Sequence, residues 1–197
     1  MVEMADALMA HTALGSRAGG ELKTHGVAAA VVLKEISPFA MVDLRLDPAD
    51  DIALNGVQRL LALELPLTPG KARRNGQRVA WWFGPDQWLI VAPPADAQVL
   101  MPALIDAARS AVDVSDLRAE FELAGPRAAD VLRKGCGIDL HPRAFAVGDC
   151  ALTSLARVRI ALRQIDERPA YRLLVERSVA PYLWAWLLDA MREFVGA

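Results

Sequence analysis

The hydrophobic and polar positions of the chain follow the same order twice. In the first half, AAAVVLKE is a strand run. FAMVDLRL alternates cleanly, with Val42, Leu44 and Leu46 on one face and Asp43 and Arg45 on the other. Pro48 and the Asp50–Asp51 pair mark a turn and a helix start. Leu54, Val57 and Leu61 then keep helical spacing until Pro66 and Pro69 end the run. VAWWFG and QWLIVA predict a hairpin turned by Gly84, Pro85 and Asp86. A second helix is expected from about Ala97, with Leu100, Leu104, Ala107, Ala108 and Ala111 as its stripe. Pro102, near its start, is expected to delay or kink the first turn.

The second half repeats this grammar. LRAEFEL sets Phe121 and Leu123 against Glu120 and Glu122. Gly125 and Pro126 signal a helix start with proline at the first helical position. Ala128, Val131 and Leu132 share a face; Arg133 and Lys134 suit the last turn, and Gly135 the left-handed position beyond it. CALTSL, RVRIALRQ and YRLLVE predict three strands. A closing helix over about Val179–Phe194 carries Leu183, Leu187, Ala190, Met191 and Phe194 in one stripe. GVQRLLALELPLTPG parallels RAADVLRKGCGIDLHP, so the expected fold is a pseudo-duplicated α+β protein of strand–helix–strands–helix units. Residues 28–111 form the first unit and 112–197 the second, in one compact domain overall. Neither half is large enough to hide both faces of a sheet alone. Residues 1–27 read as an N-terminal arm with a short helix at Asp6–His11, its Met4, Leu8 and Met9 available to another subunit.

Composition narrows the class. Apolar residues make up 54% of the 197 and charged residues 23%, a globular balance. The mean hydropathy of +0.23 is high, yet no apolar run approaches the roughly 18 residues of a membrane span. The surplus belongs in a core or a partner interface, and it gives the isolated chain a surface through which to self-associate. A net charge of −2 gives no general attraction to nucleic acid. The acidic N-terminus does not read as a signal peptide. Two cysteines without C-x-x-C spacing, Cys136 and Cys150, fit buried thiols in a cytoplasmic protein.

Candidate chemistry is sparse. His11, His25 and His141 belong to no metal or hydrolase pattern, and the chain has no nucleophile elbow, Walker lysine or dinucleotide fingerprint. No catalytic, cofactor-binding or metal-binding residue is therefore assigned. Lys134 beside Cys136 favours a thiolate, but a helix C-terminus disfavours one. Asp113, with Ser115 and Asp116, suits a turn or cap better than an acid–base role. Arg157, Arg159 and Arg163 fall on one face of their strand and suit a solvated face, an anionic tail or a partner's acidic residues. Trp81 and Trp82 point to opposite sheet faces, close to Trp88. Tyr182, Trp184 and Trp186 widen the apolar sector of the closing helix; about half of this sector is expected in the core, and with the three arginines these aromatics are the candidate partner interface.

A set of longer matches adds an identity to this pattern. GPDQWLI (84–90), VDVSDLR (112–118), LAGPRAADVL (123–132), KGCGIDLHP (134–142) and PYLWAWLLDA (181–190) resemble, in order and spacing, the gamma subunit of heterotetrameric sarcosine oxidase. Gly137 stands where that family usually has a proline after the Gly-Cys pair. The resemblance implies the folate-binding fold of the glycine-cleavage aminomethyltransferases. It also implies alpha, beta and delta partner subunits that hold flavins, NAD and tetrahydrofolate. The complex so implied demethylates sarcosine oxidatively and passes the one-carbon unit to tetrahydrofolate, with an assembly role for this chain. Two alternatives remain: an autonomous tetrahydrofolate-dependent aminomethyltransferase-like enzyme, motivated by the arginines and Asp113, and a self-associating adaptor.

Overall fold

The computed structural model describes residues 13–15, 24–27, 30–36 and 40–194, with backbone alone at 24–27, 97 and 98. The expected helix at 6–11, the arm's apolar residues and the side chain of His25 lie outside them. In chain order the elements are β1 (Thr24–Val27), β2 (Val31–Glu35), β3 (Ala40–Arg45), α1 (Asp51–Leu61), β4 (Ala72–Asn75), β5 (Arg78–Gly84), β6 (Gln87–Ala92) and α2 (Pro94–Ala107). They continue with β7 (Ser110–Asp113), β8 (Arg118–Ala124), α3 (Ala128–Arg133), β9 (Cys150–Leu155), β10 (Val158–Asp166), β11 (Ala170–Glu176) and α4 (Ala180–Met191).

The strands form two sheets, ordered β4-β5-β6-β3-β7 and β1-β2-β8-β11-β10-β9. The duplication is visible in these orders, since β4-β5-β6-β3 in one sheet corresponds to β9-β10-β11-β8 in the other. Each repeat thus supplies a four-stranded core and two helices. The fifth place is filled in one sheet by β7 beside β3, and in the other by β2 beside β8, both antiparallel. Contacts accordingly divide the chain into two units that are not the halves 28–111 and 112–197. One unit comprises Met1–Pro38, Leu117–Phe145 and Thr153–Ala197; the other comprises Phe39–Asp116 and Ala146–Leu152. The physical reason is pairing. β2 lies within the first expected unit, yet besides β1 it pairs with β8 of the second.

In the unit containing the five-stranded sheet, α1 begins at Asp50, whose carboxylate accepts from the amides of Ile52 and Ala53. Its stripe of Leu54, Val57 and Leu61 is buried with Val42, Leu44, Ala80, Ile90, Leu100 and Leu104 in one apolar cluster. Trp88 joins them, fully buried, its indole N–H donating to the Pro66 carbonyl at 2.8 Å. Trp81 is also buried, on the opposite face from Trp88, while Trp82 is only half-buried across from Trp88. The second helix starts three residues earlier than its pattern suggests, with Pro94 in its first turn. Pro102 therefore lies in its interior. Ala111 is not helical but belongs to β7.

In the unit containing the six-stranded sheet, Leu183, Leu187, Ala190 and Met191 of α4 are buried as expected. Two glycines serve purposes other than those expected. Pro126 precedes α3 rather than opening it. Gly125, at φ +124°, lets the chain pass Ala30, whose carbonyl oxygen would lie 2.6 Å from an added Cβ. Gly135 does not take up the left-handed conformation. A Cβ there would come within 2.8 Å of the Trp186 ring and 3.1 Å of the Ala156 nitrogen.

Candidate functional site

The residues expected to meet a partner separate into two environments. Trp184 is core: it is 9% exposed and its ring meets Phe121 edge-on at 5.3 Å. Arg163 is also buried, within β10 and opposite Arg172 of β11. Arg157 precedes the strand, in the two-residue turn between β9 and β10, so the expected row of three arginines is broken. Arg159 and Arg157 are exposed, Trp186 is half-buried and Tyr182 is 52% exposed.

What the structure does bring together is Tyr182, Trp186 and the β9–β10 turn. Tyr182 and Trp186 are one helical turn apart on α4. The Tyr182 hydroxyl donates to the Ala156 carbonyl at 3.1 Å. The Ala156 amide in turn donates to the Gly135 carbonyl at 3.2 Å, and Trp186 lies against Gly135. One end of the α3 segment, the turn and α4 thus form a continuous surface carrying an aromatic hydroxyl, part of an indole and two guanidinium groups.

Sequence reading missed a second polar cluster, on one face of the six-stranded sheet. Arg172 of β11 donates to Glu120 at 3.2 Å and to Glu122 at 2.9 Å, both from neighbouring β8. Glu120 is only 7% exposed. Burial pushes its carboxyl above the ordinary range, while Arg172 and then Arg163 pull it back. Among the described residues, Glu120 Oε2 and Arg172 Nε have no hydrogen-bond partner. The alternation Glu120, Phe121, Glu122, Leu123 looks like a solvated outer face. Only the register that sets Arg172 opposite Glu122 reveals the pairing. Burial, chiefly, also raises the Tyr171 phenol, against the pull of Arg133 and with a smaller push from Asp130.

The remaining candidates have structural work. Asp113 accepts from the Ser115 amide at 2.9 Å and hydroxyl at 2.5 Å, and the Ser115 hydroxyl accepts from the Met41 amide. His141 Nδ1 accepts from the Arg143 amide within its turn. Cys136 and Cys150 are buried free thiols. An open groove beside α1 is lined by Asp51, Ile52, Asn55, Gln58, Arg59 and Leu63. Among the described residues no group of three or more His, Cys, Asp or Glu side chains is placed to hold a metal. No helix among them is long and apolar enough to cross a membrane.

Comparison with known proteins is consistent from sequence to fold. The model of the sarcosine oxidase gamma subunit family matches residues 45–193. A sarcosine oxidase subunit gamma from Arthrobacter sp. is 37% identical over 172 residues, covering 85% of this chain and 83% of that protein. Among solved structures, a chain of the heterotetrameric sarcosine oxidase from Corynebacterium sp. U-96, in complex with pyrrole 2-carboxylate, is 33% identical. It covers 88% of this chain and 90% of its own length, with a TM-score of 0.79. The glycine cleavage aminomethyltransferase T from Bartonella henselae is 16% identical and superposes with a TM-score of 0.62, covering 94% of this chain and 55% of its own; the likeness is one of fold. With two antiparallel sheets in the same α+β arrangement and a family match along most of its length, this chain belongs to the sarcosine oxidase gamma subunit family.

Proposed function

We propose that this chain is the gamma subunit of a heterotetrameric sarcosine oxidase complex and that its work there is assembly. The observation that carries this reading is the near end-to-end likeness to a chain of the Corynebacterium enzyme. In this reading the alpha, beta and delta subunits are its partners in the cytoplasm. They hold the flavins, NAD and tetrahydrofolate. The complex demethylates sarcosine to glycine and passes the one-carbon unit to tetrahydrofolate.

The chain's own residues support partner contact rather than turnover. Asp113 and His141 are engaged in turns, whereas Tyr182, Trp186, Arg157 and Arg159 leave aromatic and cationic groups at the surface. Aromatic and arginine side chains dominate association energies when a partner dries them. Trp184 and Arg163 act from within, by fixing the helix and strand that present this surface. Co-expression of a tagged chain with the three partners should recover all four in equal proportion. A tagged chain that emerges alone, with oxidase activity unchanged, rejects the reading. Calorimetric titration of the isolated chain with tetrahydrofolate tests the autonomous-enzyme alternative, for which heat of binding would be required.

A further inference from the structure

The turn joining β9 to β10 is built from residues poorly suited to it. Ala156 and Arg157 both have left-handed backbones, at φ 52° and 69°. A two-residue hairpin turn of this kind is ordinarily made by Asn-Gly or Gly-Gly, because a Cβ is disfavoured there. Ala156 is buried and fastened on both sides, by the Gly135 carbonyl and the Tyr182 hydroxyl. These bonds explain how the turn is held. They do not explain Arg157, whose side chain is exposed and, among the described residues, makes no hydrogen bond or ion pair. Glycine would meet the backbone requirement of that position without strain. Among the described residues no polar contact of the arginine side chain offsets its conformation.

We propose that the Ala156–Arg157 turn is a pre-shaped docking point at which Arg157 receives a carboxylate of another subunit of the complex. The inference rests on the assembly reading above and adds to it the anchor and the chemistry of its partner. Arg157 at the tip and exposed Arg159 two positions on present two positive charges. The Tyr182 hydroxyl, bonded to the Ala156 carbonyl, ties the exposed Tyr182 of α4 to the same turn. A guanidinium offers the paired donors that a carboxylate accepts two at a time, and the locked turn removes much of the ordering that a mobile loop would need. An acidic side chain on the partner is therefore the occupant.

Competition for places in the complex tests this. Equal amounts of wild-type and Arg157→Gly chains are co-expressed with the partner subunits, and the ratio incorporated is read by mass spectrometry of the purified complex. Wild type should be preferred by about tenfold or more, the range for loss of an interface anchor. Arg157→Lys should fall between. Arg168→Ala, an exposed arginine elsewhere, should be incorporated equally. The melting temperature of free Arg157→Gly should be no lower than that of wild type. Equal incorporation of Arg157→Gly overturns the docking point and leaves the assembly reading standing. A lowered melting temperature would show that the arginine serves the fold, and overturns it too. If neither chain enters the complex, the assembly reading falls and the docking point with it.

Discussion

Glu120 shows how single side chains here depend on their surroundings. Its carboxyl is nearly sealed from water, with Arg172 on one oxygen only, and burial holds it above its ordinary value of 4.5. The folded protein therefore keeps a proton that the unfolded chain has released once the pH passes 4.5. In that window Glu120 makes stability fall as pH rises, and the loss is complete above the folded value. Glu120→Gln keeps an acceptor for Arg172 and cannot ionise. Urea midpoints measured from pH 4.5 to 8 should show the variant gaining on wild type as pH increases; a constant difference would contradict the assignment. Gly135 and Trp184 give sharper steric tests. Gly135→Ala drives a methyl into Trp186 and the Ala156 amide, and is expected to lower stability by about 1–3 kcal/mol in chemical denaturation. Trp184→Ala should cost about 3–5 kcal/mol in the same measurement, as a core deletion. The sequence marked both residues; in the structure Gly135 is needed for space rather than for φ, and Trp184 falls in the buried part of its sector. A glycine needed for space cannot be told from one needed for φ, and azimuth on a helix does not reveal which neighbours close over it.

At the scale of elements, local pattern translated well wherever a segment buries one face. β3, α1, the β5–β6 hairpin and α4 lie where their periods place them, because each period records the side that faces the core. The Asp50 cap on α1 is such a local feature, and Asp50→Ala should lower stability by about 1 kcal/mol by thermal or urea unfolding. The departures come from non-local choices. Pro94 can open a helix three residues earlier than the apolar stripe begins. β2 and β7 complete sheets whose four-stranded cores come from the other repeat. Nothing in AAAVVLKE names β8 as its partner; the pairing follows from which open edge each strand can reach.

At the scale of the molecule, the family could be read from short matches distributed along the chain, whereas which candidate interface residues reach the surface could be read only in part. Tyr182 and Trp186 emerge at the surface beside the Ala156–Arg157 turn, but Trp184 and Arg163 are enclosed. A stripe of aromatics and a row of arginines cannot show this division, because turn position and strand pairing decide it. On the proposed function, the chain works by assembling a larger enzyme. The most direct measurement compares the other three subunits expressed with and without it, scoring the size of the purified assembly and its sarcosine-dependent oxygen consumption. With the chain, a four-subunit particle containing one copy of it should form and turn over. Without it, the particle should be incomplete and activity largely lost. A complete, fully active three-subunit enzyme would contradict the account.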